Sequence, residues 1–203
     1  MVTVREVNKK EKKVIDDVVT IHLNTFTGFF LTFMGRGFLK QMYSSYCEHT
    51  ESGLLIAEDD GKTLGFLAYS SNFSGLYKFM LKTRLFPFAW YSAGAFFRKP
   101  SAFIHIISAF LKPSEVLRNE KYVELSSIGV DPKFKSRGVG TILINQLKKQ
   151  VDFEKYAYIT LETDALNNEA AIHFYEKNDF VRYRTYKTDE GREMCEYRFI
   201  GAK

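Results

Sequence analysis

Between residues 122 and 177 the chain alternates strand, helix, strand and helix, and hairpin signals flank this run on both sides. Tyr122 to Val130 reads as a strand and Gly138 to Val151 as an amphipathic helix whose buried stripe is Val139, Ile142, Leu143, Leu147 and Val151. Tyr156 to Thr163 is the next strand, and Asn168 to Lys177 the next helix. Upstream, Leu54–Ala57 and Thr63–Tyr69 bracket Asp59-Asp60-Gly61-Lys62, which is strong hairpin turn chemistry. Downstream, strands near 180–187 and 192–200 are separated by Thr188-Asp189-Glu190-Gly191. At the N-terminus, Val2, Val4 and Val7 alternate over a short edge strand. Helical spacing follows over 11–26 and roughly 30–47, with Gly28, Gly35 and Gly37 as breaks between or within these helices. The order β-α-α-β-β-insertion-β-α-β-α-β-β predicts an α/β fold: a mixed sheet with helices on both faces.

The insertion, about 71–120, reads as mostly helical, aromatic and basic, with Pro87, Pro100 and Pro113 as breakpoints. Its apolar runs, 85–97 and 102–111, are separated by Arg98-Lys99-Pro100 and are each too short to span a bilayer. Two readings stand: a helical subdomain that packs on the sheet and shapes an acceptor pocket, or a peripheral membrane or partner surface. For the second, the aromatic faces are rimmed by Lys78, Lys82, Arg84 and Arg98. At 203 residues and 45% hydrophobic content the chain suits a single domain, 1–203, carrying this insertion.

The net charge of +5 is mild; it suits a ligand carrying phosphates and equally a plain solvated surface. No clustered basic face or recognised module points to nucleic acid. Cys47 and Cys195 make neither a disulfide framework nor a metal site, and His22, His49, His105 and His173 lack ligand spacing. No apolar signal segment follows the N-terminal strand, and no run of about 18 apolar residues occurs. A reduced, metal-free cytoplasmic protein is expected.

Chemistry concentrates in two segments. In the first, a strand ends at Asp131-Pro132 and a basic loop leads to Gly138 and Gly140 at the start of a helix. Unpaired amides in that loop and first helical turn favour an anion, aided by the helix dipole. Gly138 and Gly140 let a phosphate approach without a Cβ in the way, and Lys135 and Arg137 add charge. Strand-to-helix turns also use glycine purely for packing. A Walker loop would need G-x-x-x-x-G-K-S/T, and a dinucleotide fingerprint a third glycine where Leu143 stands. In the second segment Asn167 is a good N-cap, and Asn168, Ala171 and Tyr175 share one helical stripe. A tyrosine there could protonate a leaving thiolate, or could simply be a core aromatic beside Ile172 and Phe174.

Together the two segments resemble the GCN5-related N-acetyltransferase (GNAT) superfamily. Lys135-Ser136-Arg137-Gly138-Val139-Gly140 matches the cofactor loop Q/R-x-x-G-x-G/A with one substitution. Asn168, Ala171, Tyr175 and Phe180 match N-x-x-A-x-x-x-Y-x-x-x-G-F, with Asp179 in place of the glycine. The match covers roughly 121–182. It implies a mostly antiparallel sheet with a central, splayed parallel pair, 122–130 and 156–163. It also implies acetyl-CoA as co-substrate, its pantetheine along Ile128, Gly129 and Val130. The pyrophosphate would lie on the loop and helix start Lys135, Ser136, Arg137, Gly138, Val139, Gly140 and Thr141, with Asn168, Ala171 and Tyr175 on the cofactor-facing stripe. Asp179 would have to adopt the left-handed geometry that ends the helix.

Some family members carry a glutamate eleven residues before the first loop position, and Glu124 holds that offset from Lys135. The expected catalytic pair is therefore Glu124 as base and Tyr175 as acid, with Glu162 and Asp164 as other candidate bases; a strand-end salt bridge is the plain alternative for Glu124. The implied reaction is acetyl transfer to a primary amine of a small molecule, such as an amino sugar or an amphiphilic acceptor. A protein N-terminal or lysine acetyltransferase, or a non-catalytic acyl-CoA-binding module, are the alternatives. The sequence leaves a homodimer open.

Overall fold

A computed structural model describes residues 1–98, 120–189 and 191–201. The second apolar run of the insertion, Pro100 and Pro113 lie outside the described residues.

Strand β1 (Thr3–Glu6) leads into α1 (Lys12–Thr25), α2 (Phe30–Met34) and α3 (Arg36–Glu48). The helical stretch over 30–47 is broken at Gly35, one of the breaks the sequence predicts: its φ of 86° is a left-handed conformation that ends one helix and starts the next. Gly37 breaks nothing. It lies inside α3, where a Cβ would run into the Tyr91 ring, so its role is the close approach of two helices.

β2 (Ser52–Asp59) and β3 (Lys62–Ser70) form the expected hairpin. Asp60 and Gly61 both take positive φ, 48° and 72°, the requirement for a two-residue turn that matches strand twist. α4 (Phe73–Arg98) follows, and Pro87 sits inside it rather than ending it. Pro87 cannot donate to the carbonyl of Thr83 and its ring crowds that turn. The cost shows at Arg84, whose φ of −136° and ψ of 19° kink the helix.

β4 (Tyr122–Val130) returns beside β3, and a 3-10 turn, Pro132–Phe134, connects it to α5 (Val139–Gln150). β5 (Tyr158–Asp164) then runs parallel to β4. α6 (Glu169–Lys177) leads to the hairpin of β6 (Val181–Lys187) and β7 (Glu193–Phe199), whose second strand pairs with β5. The sheet order is β1-β2-β3-β4-β5-β7-β6, and every neighbouring pair except β4–β5 is antiparallel. This is the mixed α/β sheet with a central parallel pair that the sequence predicts.

Strand alternation divides the core between the two faces. Leu54, Ile56, Phe66 and Ala68 pack under α1, α3 and the first half of α4, with Ile15, Val18, Val19, Leu39 and Tyr43. Leu55, Leu67, Val123, Leu125, Ile159 and Leu161 face α5 and α6, and meet Leu143, Ile144, Leu147 and Phe180. Each of those α5 side chains is fully buried, worth about 1.5–3 kcal/mol of transfer free energy. Ile142, expected on that stripe, is 37% exposed, and Ile144 takes the inward place.

Candidate active site

β4 and β5 stay paired over only three residues, Tyr122–Glu124 against Tyr158–Thr160. Beyond Glu124 the strands part, so Leu125–Val130 keeps β3 on one edge and faces a gap on the other. A bulge opens this half of β4: Ala68 pairs with Ser127 but Tyr69 pairs with Leu125, which leaves Ser126 as the extra residue. Asp131 donates to the Leu64 carbonyl. By antiparallel alternation Ile128 and Val130 therefore aim their N–H and C=O groups into the gap, while Gly129 points its own at β3. Thr25, at the end of α1, donates from its hydroxyl to the Val130 carbonyl at 3.1 Å and satisfies that one acceptor. A Cβ on Gly129 would lie 2.8 Å from the Phe66 ring, so this glycine serves the packing beneath the strand.

The loop from β4 to α5 is built to present main chain. Asp131 accepts from the amide of Lys133 at 2.9 Å and sets the 3-10 turn. Ser136 and Gly138 take φ of 63° and 76°, and Gly138 is the left-handed N-cap of α5. Nothing lies within 4 Å of where a Gly138 Cβ would stand. The amides of Val139, Gly140 and Thr141 are first-turn donors with no intrahelical acceptor. Lys135, Ser136 and Arg137 are exposed around them. A cation from outside the motif joins this group: Lys62, at the start of β3, stands 4.6 Å from the Phe134 ring, and Arg137 stacks on the same ring at 5.3 Å. Nothing in the sequence marks Lys62, which lies 73 positions upstream of Lys135.

Gly140 has a different reason from Gly138. A Cβ there would come 2.9 Å from Phe174 of α6, so Gly140 lets the two helices close on each other. Gly65 does the same beneath, where a Cβ would meet Val139 at 3.1 Å and Val130 at 3.3 Å. These contacts set the start of α5 directly over the end of β4.

The residues of α6 divide. Asn168, rather than Asn167, occupies the N-cap position; Asn167 takes φ of 55° just before it. The Asn168 side chain reaches back to β5, donating to Thr163 Oγ1 at 2.6 Å and the Asp164 carbonyl at 3.2 Å. Ala171 is half-buried. Tyr175 is half-buried within an aromatic group, its ring 5.4 Å from Phe174, 6.1 Å from Phe180 and 6.3 Å from Tyr197. Burial pushes its phenol up to about 12, which keeps the proton on oxygen at neutral pH. Phe174 is the side chain that reaches from α6 to α5.

Glu124 pairs in register with Thr160, so Glu124, Thr160, Glu162 and Asp164 share the sheet face opposite α5. On this face Glu162 accepts from Tyr186 Oη at 2.6 Å, and Asp164 from Arg192 at 2.7 Å. Burial raises the Tyr46 phenol on that face, and the charge of Glu124 pushes it the same way. Also on this face, His22 is buried with Nδ1 2.7 Å from Tyr43 Oη, which in turn lies 3.4 Å from Ser127 Oγ on the bulged strand. Burial holds the His22 imidazole down at about 4, so it is neutral. His22 lies on the helical stripe of 11–26 with Ile15, Val18 and Val19, but no sequence signal ties it to Tyr43 and Ser127. Cys47 lies away from the gap, at the β1 edge; burial and the Glu6 and Glu48 carboxylates push its thiol up to about 12, which leaves it unreactive. Among the described residues no group of three or more His, Cys, Asp or Glu could hold a metal ion.

Residues 18–180 match the family described as Acetyltransferase (GNAT) family. No curated protein matches the chain in sequence. Among solved structures, the Escherichia coli ribosomal-protein-S18-alanine N-acetyltransferase superposes with a TM-score of 0.58 at 15% identity, over 98% of this chain and 94% of that one. Arabidopsis thaliana NAA60 in complex with acetyl-CoA gives 0.58 at 15%, over 98% of both chains. The Drosophila melanogaster polyamine N-acetyltransferase gives 0.59 at 10%, over 98% and 100%. At these identities the likeness is one of fold.

Proposed function

We propose that this chain, which belongs to the acetyltransferase (GNAT) family, moves the acetyl group of acetyl-CoA to a primary amine of a small molecule. Membership fixes the reaction class: the chain is an acyl-CoA-dependent N-acetyltransferase with acetyl-CoA as co-substrate. The observation that carries the site assignment is the gap between β4 and β5, which opens after Glu124 and leads along Ile128 and Val130 to the amides of 135–141. Pantetheine amides can pair with the split-facing groups of Ile128 and Val130. The pyrophosphate fits the open space over Gly138, beside Lys62, Lys135 and Arg137.

In the reaction the amine nitrogen bonds to the acetyl carbon, the C–S bond breaks, and its electron pair goes to sulfur. We assign Glu124 to take the proton the ammonium must lose before it attacks and Tyr175 to give one to the departing thiolate; the second proton, which the nitrogen sheds as the amide forms, returns to the Tyr175 oxygen. For Tyr175 the support is a phenol held protonated by burial; for Glu124 it is a place on the sheet face opposite α5, at the point where the strands part. Solved neighbours that act on a protein alanine and on polyamines superpose about equally well, so they do not choose the acceptor. The small-molecule reading rests on the helical insertion between β3 and β4, part of which is α4.

Incubating the chain with acetyl-CoA and a panel of amino sugars, polyamines and peptides tests this directly. One acetyl mass gain on a small amine, with stoichiometric CoA thiol release, is the expected result. Acetylation confined to peptides would replace the small-molecule reading by a protein acceptor. Binding of acetyl-CoA without turnover on any amine would make the chain a sensor. The Gly138→Asp variant, which sets a carboxylate against the pyrophosphate, should lose the thermal shift that acetyl-CoA gives the parent.

A further inference from the structure

The part of α4 beyond its kink has two unlike faces. Inward, Phe88 packs on Phe38 with ring centroids 4.8 Å apart, Ser92 is 7% exposed, and Tyr91 closes on Gly37. Outward, Leu85, Phe86 and Trp90 are 61%, 79% and 70% exposed, with Ala89 and Ala93 exposed on the same side. Leu81, Lys82 and Lys78 carry that surface back along the first half of the helix, all of them exposed. Spacing of three and four residues sets these positions on one stripe. Large apolar side chains grouped like this on a water-facing surface mark a contact with something else.

Charge identifies that something. Residues 71–114 contain six Lys and Arg and no Asp or Glu, so the remainder of the chain is close to neutral and the net +5 sits on this segment alone. Arg84 is already committed, to Gln41 at 2.6 Å and Glu48 at 2.6 Å, but Lys78 and Lys82 face outward. A surface that is at once apolar, aromatic and free of negative charge matches the headgroup region of an anionic bilayer, where rings and aliphatic chains find acyl carbons and ammonium groups find phosphates. Indole prefers that boundary, being apolar over its ring and polar at its N–H. No helix of the described residues is long and apolar enough to cross a membrane, and the contact argued for this face is a peripheral one.

We propose that the outer face of α4, centred on Phe86 and Trp90, docks the protein on an anionic lipid bilayer. This stands apart from the acetyl-transfer reading and does not depend on it.

Trp90 is the only tryptophan of the chain, so its emission reports this face and no other. The full chain is mixed with vesicles of phosphatidylglycerol and phosphatidylcholine in equal parts, and separately with phosphatidylcholine alone, each with and without brominated acyl chains. The expected result is sedimentation with the anionic vesicles, a blue shift of Trp90, and quenching by bromine. Lys78→Glu with Lys82→Glu should weaken the association at least about tenfold. Phe86→Ser should do likewise, and both variants should melt at the parent temperature because these side chains are exposed. Absence of sedimentation overturns the proposal. So does sedimentation with Trp90 unquenched, which would put the contact on another face. A Trp90 already blue-shifted and shielded from acrylamide in the free chain also overturns it, and assigns the stripe to residues 99–119 or to a second copy.

Discussion

Lys148 of α5 closes the end of α6 by holding Asp179: its ammonium lies 3.0 Å from the Asp179 carboxylate and donates to the Asn178 carbonyl at 2.6 Å. Asp179 stands at φ 62° where a glycine would be the usual choice, and its amide returns to the Glu176 carbonyl. The ammonium also sits 3.9 Å over the Phe199 ring, so one cation ties α5, α6 and β7 together.

The two partners should not matter equally. Asp179 is exposed and its ion pair is screened, so Asp179→Gly should change stability by less than about 1 kcal/mol, with relief of the left-handed backbone offsetting the lost contact. Lys148→Met removes a charged donor from a carbonyl at a helix end and should cost about 1.5–3 kcal/mol. Urea melts of both variants decide this; equal losses would mean the ion pair itself is the clasp.

Gly140 and Phe174 form the second coupled pair. Gly140→Ala places a methyl 2.9 Å from the Phe174 ring, and overpacking of this kind costs about 1–3 kcal/mol. For a chain of this size that lowers Tm by about 2–4 °C per kcal/mol. Phe174→Leu should recover part of the loss in the double variant, a coupling that a double-mutant cycle isolates. Additive losses would show that α5 and α6 do not meet through these residues.

That pair also shows where sequence reading stops. The strand and helix order was legible because each element carries its own period, and the positive φ at Asp179 was foreseen through family likeness, since it stands where the family places a glycine. The two loop glycines look alike in the motif, yet one faces open space and the other a phenylalanine 34 positions away, a distinction only tertiary packing makes. Thr25 on the Val130 carbonyl and Lys62 beside Phe134 were illegible for the same reason: each reaches the site from a distant element. The split β4–β5 pair was foreseen through family likeness, whereas the bulge that leaves Ser126 over has no sequence signature.

His22 makes stability depend on pH. Its folded pKa of about 4 lies below the ordinary 6.5, because burial disfavours the charged ring. As pH falls through 6.5 the unfolded chain takes up a proton that the folded chain refuses, so stability declines until about pH 4 and then levels off for this group. The full effect is of the order of 3 kcal/mol. Unfolding free energy measured from pH 7 to pH 4 should therefore fall more steeply for the parent than for His22→Gln. Parallel curves would mean that the imidazole is solvated in the folded state.

The last test concerns the proton transfers. Tyr175→Phe keeps the ring among Phe174, Phe180 and Tyr197 and removes only the hydroxyl, so folding and acetyl-CoA affinity should hold within a few-fold. Losing a general acid costs about 100 to 10,000 in rate, and turnover on the true acceptor should fall by that order. Glu124→Gln should lower turnover most at neutral pH and recover at higher pH, where more of the amine is already deprotonated. The two substitutions thus leave different signatures: a loss that persists across pH for the acid, and a loss that fades as pH rises for the base. If Tyr175→Phe retains most of its turnover, water protonates the thiolate. If Glu124→Gln keeps the parent pH profile, the proton leaves by another route. Glu162 and Asp164, on the same sheet face, would then be tested with Tyr186→Phe and Arg192→Gln, which release them from their hydrogen-bond donors.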